Sequence, residues 1–160
     1  MKKLPNAALI LVPRHPERFD AVSQLVANEG FCFSRRTSMD HLGAIQVYIG
    51  DTMGDMLTLM QAADICFMGG SLIGNKVGGH NLLEPTVIGI PSLIGPSFYN
   101  FKGITERLIA IGLTEVANEN ELASKIHLHF SSKSHDFLGL SREFILKNNS
   151  TSSYINLLNI

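Results

Sequence analysis

From Ala7 to about Gly112 the chain alternates short apolar runs with amphipathic stretches of helical length, and this alternation most narrows the folds open to it. "AALILV" ends in "PRHPER". "PERFDAVSQLVANEG" then sets Phe19, Val22, Leu25 and Val26 at helical spacing before Gly30. "FCF" and "IQVYI" read as a second and a third strand, "MLTLMQAA" as a helix and "DICFMGG" as a fourth strand. "NLLEPTVIG" is a short helix, "IPSLIG" a fifth strand and "YNFKGITERLIAIG" a helix, followed by the short segment "LTEVAN". Short apolar strands each followed by a helix describe α/β architecture: a Rossmann-like parallel sheet with helices on both faces. Beyond about Asn118, "ENELASKIHLHF" and "SREFILKNNSTSSYINLLNI" read as helices packed on that sheet, with a loosely held C-terminus.

A chain of 160 residues, 45% hydrophobic with mean hydropathy +0.16, suits one domain with a real core. Its formal charge of -1 provides no global field for nucleic acid or anionic lipid, so any anion must be caught locally. Cys32 and Cys66 sit in apolar strand-like surroundings without CxxC spacing and read as buried free thiols of a reducing compartment. The opening "MKKLPNAALILVP" briefly mimics a signal peptide. Its apolar run stops at Pro13 without a small-residue cleavage site, so it reads as a first strand, and no segment approaches the roughly 18 apolar residues of a membrane span.

In sheets of this kind ligands bind at the carboxyl ends of the strands. The loops there are "PRHPER", "GDTMGD", "GGSLIGNKVGGHN" and "GPSFYNF". Gly69, Gly70, Gly78 and Gly79 allow sharp turns or close approach to a ligand, and the helix opening near Asn81 presents free N–H groups. Together these predict an anion site, most naturally for phosphate. Ser71 could add a hydroxyl donor, and Asn81 could cap the helix or donate to the ligand. Leu83, at the same helix start, is expected among the donor-binding residues. Glu84, one turn in, either accepts from ribose hydroxyls or compensates the helix dipole.

At the end of the first strand, Arg14 is placed for a bidentate grip on phosphate or carboxylate. Arg18 reads as a solvated helix face, and His15 as a ligand donor or a cap. "GDTMGD" (Gly50, Asp51, Thr52, Met53, Gly54, Asp55) matches neither a Walker motif nor GxGxxG. Asp51 and Thr52 read as a helix cap or a nucleotide-contacting turn, and Met53 as an apolar platform for a base. Asp51 and Asp55 read as cap and dipole partners rather than a metal pair, and His127 and His129 alternate in a helical segment and so share no face. No metal site is expected.

"LVPRHPERF", "RRTS", "VYIGDTMGDM", "ADICFMGGSLIGNKVGGHNLLEP" and "GPSFYNF", in this order, resemble the carboxyl-terminal half of 3-deoxy-D-manno-octulosonic acid (Kdo) transferases. The likeness runs from about Ala7 to Gly112 and more loosely to the end, with "GGHNLLEP" its strongest element. It implies one half of a two-Rossmann-domain GT-B glycosyltransferase, here a single nucleotide-sugar-binding domain over 1–160 without the acceptor-binding amino-terminal domain. The donor would be CMP-Kdo, held through its CMP part. On the matching positions Arg14 and the Gly70, Ser71 and Asn81 region would hold phosphate, Glu84 the ribose, and the turn with Met53 would lie against cytosine. The family has proline after the asparagine where this chain has Leu82, which loosens the helix start slightly.

The resemblance further implies an inverting transfer of Kdo to a lipid A precursor in lipopolysaccharide biosynthesis. The general base would lie in the amino-terminal domain, so this piece has no catalytic residue of its own and is expected to be inactive alone. No cofactor or metal is implied, because Arg14 and the helix dipole can stabilise the departing phosphate. The whole enzyme would work at the cytoplasmic face of the inner membrane, the piece itself being soluble with no nucleic-acid partner, and "KK" at the start is a weak membrane-facing sign. A UDP-sugar epimerase or transferase of the same architecture, a non-catalytic α/β interaction module, and glycines that serve only tight loops are the rival readings.

Overall fold

The computed structural model describes residues 4, 6–38, 44–74, 77–131 and 136–148; the expectations for "KK" and for the extreme C-terminus lie outside these. The chain forms two compact units, Met1–Ala62 and Ala63–Ile160. The strands read from the sequence as one sheet pair as two, each parallel and three-stranded.

In the first unit the elements run β1 (Leu9–Leu11), α1 (Phe19–Asn28), β2 (Phe33–Arg35), β3 (Val47–Ile49) and α2 (Met56–Gln61). The strand order is β1-β3-β2, with Val47 of the central strand opposite both Leu9 and Phe33. Val47 and Ile49 are buried with Val26 of α1, and Leu11, Phe31 and Phe33 pack against them. A 3-10 turn at Pro16–Arg18 leads into α1, with proline at its start where the missing N–H leaves no bond unmade.

Leu25, expected on the buried face of α1, is 59% exposed. The buried stripe runs through Ser23 and Val26, with Phe19 and Val22 half-buried beside it, and one residue of a helix turns about 100°, which carries Leu25 off that stripe. Ser23 tolerates burial because its hydroxyl donates to the Phe19 carbonyl at 2.9 Å. The strand read at "FCF" starts instead at Phe33, and Cys32, expected to be buried, is exposed. Cys32 precedes the strand, where its N–H meets Gln46 Oε1 at 3.1 Å and its carbonyl takes the Gln46 N–H at 2.8 Å.

The second unit contains β4 (Cys66–Met68), α3 (Leu83–Ile88), β5 (Ser92–Ile94), α4 (Lys102–Ala110), β6 (Thr114–Val116), α5 (Leu122–Ser131) and α6 (Phe137–Lys147). Its order is β4-β5-β6, with "LTEVAN" supplying the edge strand. All three residues of β5 are buried, as a strand with neighbours on both sides requires. The core joins Met68, Leu82, Ile94, Leu108, Leu113 and Phe144. α6 closes on α3, where Ser141 Oγ donates to the Thr86 carbonyl. The Arg107 guanidinium lies 5.5 Å from the Phe144 ring centroid, a cation–π contact between α4 and α6. Among the described residues no helix is long and apolar enough to cross a membrane.

The burial predicts a sharp contrast. Ile94→Ala, at a fully buried position, should lower unfolding free energy by about 3 kcal/mol in urea titration. Leu128→Ala, on a side chain 65% exposed, should stay within about 0.5 kcal/mol, and equal losses at both sites would contradict this core.

Candidate functional site

In the second unit the chain leaves β4 into the glycine loop that precedes α3. Gly70 (φ 76°) and Gly78 (φ 72°) take left-handed conformations that L side chains rarely adopt. Both are also crowded, since a Cβ on Gly70 would stand 2.8 Å from Val77 Cγ1 and one on Gly78 2.6 Å from Tyr99 Cζ. These glycines shape the loop from within.

Ser71 differs from the expected ligand donor. It is fully buried, its hydroxyl donates to the Met68 carbonyl at 2.5 Å and accepts from Gly95 N at 2.8 Å. Its single proton is therefore committed to the loop's own frame. Asn81 lies two residues before α3, which begins at Leu83, and its Oδ1 accepts from Leu83 N at 3.0 Å. That bond satisfies a helix-start donor and fixes the side chain, with the amide nitrogen as its remaining donor group. Leu82 is fully buried, and Leu83 packs on the core and so acts as an anchor.

Glu84 is half-buried in the first turn of α3. Its charge bears on Cys66, whose thiol is pushed up to about 11, first by burial and then by Glu84. Cys66, expected to be buried, is a free thiol that is half-buried in β4 and held protonated there. His80 was not singled out in the sequence, although "GGHN" contains it. It is half-buried, with Nε2 3.5 Å from the space a Gly70 side chain would fill.

In the first unit Arg14 and His15 follow β1 and are exposed. His15 is extended at the start of the 3-10 turn and makes no side-chain cap bond, so the capping alternative is not realised; its Nδ1 lies 3.9 Å from Glu17 Oε1. Gly50 clears space for α2, because a Cβ there would stand 2.4 Å from Leu59 Cδ1. Met53 is 67% exposed at the tip of the next turn, beside Gly54 at φ 90°.

The flanking aspartates are spoken for. Asp51, expected as a cap or nucleotide contact, is buried and accepts from Arg35 Nε at 2.6 Å, Thr37 N at 3.0 Å and Thr37 Oγ1 at 2.5 Å. It therefore fixes the chain after β2 and leaves α2 uncapped. Asp55 stands at the N-cap of α2 without a side-chain cap bond, and accepts instead from Arg36 Nε at 2.7 Å and Thr52 Oγ1 at 2.5 Å. Each carboxylate thus has its own arginine from "RRTS", and Arg35 also reaches Asp20 at 2.7 Å. Among the described residues no group of three or more His, Cys, Asp or Glu is placed to hold a metal ion. In α5, His129 sets its ring against Phe130 and Phe137, with centroids 6.1 and 5.5 Å away.

Parallel three-stranded sheets with helices around them, and a glycine loop leaving a strand end, define a Rossmann-like α/β protein. No family model matches the chain. It is similar to the crystal structure of the C-terminal CMP-Kdo binding domain of WaaA from Acinetobacter baumannii, with TM-score 0.74 and 34% identity over 84% of this chain and 70% of the other. It is also 42% identical over 118 residues to the 3-deoxy-D-manno-octulosonic acid transferase of Haemophilus influenzae, covering 72% of this chain and 27% of that one. The Bordetella pertussis transferase of the same name is 37% identical over 110 residues, 68% of this chain and 25% of the relative. The chain belongs to the 3-deoxy-D-manno-octulosonic acid transferase family, and spans about a quarter of the length of these curated relatives.

The aspartate pairs carry a pH dependence. Burial pushes the Asp51 carboxyl up, but the bonds from Thr37 and Arg35 outweigh it and hold the group below its ordinary value. Asp55 is lowered by Thr52 and then Arg36. A depressed carboxyl contributes stability above its unfolded value of about 3.9 and loses it as pH falls through the folded one. Melting temperature should therefore drop steeply below about pH 4. Asp51→Asn should cost about 2 kcal/mol at pH 7 and flatten that acid limb, and an unchanged limb would dismiss the pairing as its cause.

Proposed function

We propose that this chain is the donor-binding domain of a Kdo transferase and holds CMP-Kdo through its cytidine monophosphate part. The observation that carries the reading is its likeness, at 34% identity over most of its length, to a domain described as binding CMP-Kdo. In the second unit the loop around Gly70 and Asn81 takes the phosphate and Glu84 the ribose hydroxyls, with Ser71 and Leu83 as internal supports. In the first unit Arg14 and His15 offer donors to an anion. Met53 offers an exposed apolar surface to a base, on a turn held at its ends by Asp51 and Asp55 and completed by Gly50, Thr52 and Gly54.

The reaction proposed for the whole protein is transfer of Kdo to a hydroxyl of a lipid A precursor, with inversion, at the cytoplasmic face of the inner membrane. The acceptor site and general base belong to a further, amino-terminal domain, and neither metal nor cofactor takes part. The role left to this chain is to bind the donor and to stabilise the charge that gathers on the departing phosphate, the larger part of what such a site contributes. By itself it binds and does not transfer.

Calorimetric titration with CMP and UMP tests the reading. CMP should bind more tightly than UMP, and Glu84→Ala should weaken CMP about tenfold or more. A folded chain with no preference for CMP, or indifferent to Glu84→Ala, would overturn the assignment, and Kdo turnover by the chain alone would refute the division of labour.

A further inference from the structure

The glycine loop is held from one side by the segment Gly95–Asn100, which follows the neighbouring strand β5. Ser97 N donates to the Ser71 carbonyl at 3.0 Å, Ser97 Oγ to the Gly74 carbonyl, and Asn100 Nδ2 to the Val77 carbonyl at 2.7 Å. Gly95 N reaches Ser71 Oγ at 2.8 Å, and a side chain on Gly95 would stand 2.3 Å from the Ser71 carbonyl oxygen. The loop closes on itself through Gly79 N and the Gly70 carbonyl at 3.4 Å.

These bonds all engage loop carbonyls or the Ser71 hydroxyl. In a trans peptide the N–H of the following residue points opposite to the carbonyl, so the N–H groups of Leu72 and Gly78 are turned away from the segment's donors that hold the carbonyls of Ser71 and Val77. The segment therefore decides which way the loop's backbone donors face.

We infer that Ser97 and Asn100 are positioning residues for donor binding: by gripping the Gly74 and Val77 carbonyls they set the glycine loop in the conformation that receives the nucleotide phosphate. The inference rests on the CMP reading above. Neither residue needs to touch the ligand; preorganised backbone donors bind an anion without first reorganising, and releasing the carbonyls restores that cost. Asn100 is exposed, so truncating it opens no cavity.

The test compares Asn100→Ala and Ser97→Ala with the unaltered chain by CMP titration and by amide hydrogen exchange at Gly79 and Leu113. Leu113 N bonds to the Leu108 carbonyl at 3.0 Å in the core and reports global opening. Expected are a loss of CMP affinity of about fivefold or more and faster exchange at Gly79, with Leu113 unchanged. Unaltered CMP affinity, or acceleration at both amides together, would overturn the inference. If the unaltered chain fails to bind CMP, the donor reading falls. The exchange comparison then decides the grip on its own, and Gly79 exchange that the variants leave unchanged overturns that too.

Discussion

Much of the second unit hangs on the side-by-side exit of two parallel strands. β4 and β5 leave the sheet as neighbours, and the first polar group after β4, Ser71, is sealed between their continuations with both its hydrogen-bonding roles filled. A buried hydroxyl without partners costs on the order of 1–3 kcal/mol, so the arrangement survives only because Gly95 brings a backbone N–H within reach. Remove that closeness and the loop has no fixed floor. Helix α3, only six residues long, then has no fixed entry.

The first unit solves a related problem with charge. Its turn at Asp51–Asp55 carries the exposed Met53 and has little apolar matter of its own. Two consecutive arginines at the end of β2 reach a carboxylate at each end of the turn. Exposed pairs contribute little, but the Asp51 side chain is almost wholly buried and triply bonded, and such a group, once paired, holds its position firmly.

The sequence showed the α/β alternation, the helices and nearly all strands because each depends on local pattern: Val47 and Ile49, or Leu93 and Ile94, are apolar wherever they end up. It also marked the loops where the polar and glycine residues gather. It did not show which of those residues face inward. Ser71 and Asp51 are the donor and acceptor types that bind ligands, and only the positions of Gly95, Arg35 and Thr37, distant in sequence, reveal that they are already engaged. Cys32 missed burial for a simpler reason, a strand that begins at Phe33 rather than at Phe31. The hold of Ser97 and Asn100 on the loop was equally invisible, because its acceptors are backbone carbonyls, which carry no sequence signature.

Among the described residues every strand is three residues long. So few residues form a ladder with only a handful of bonds, too few to repay the closure of the long connection that parallel pairing demands. Each ladder therefore depends on the helices packed against it within the same unit. Brevity of strands ties sheet and helices together within each unit, so the loops that leave those strands take their order from the packing of their own unit and not from the sheet alone.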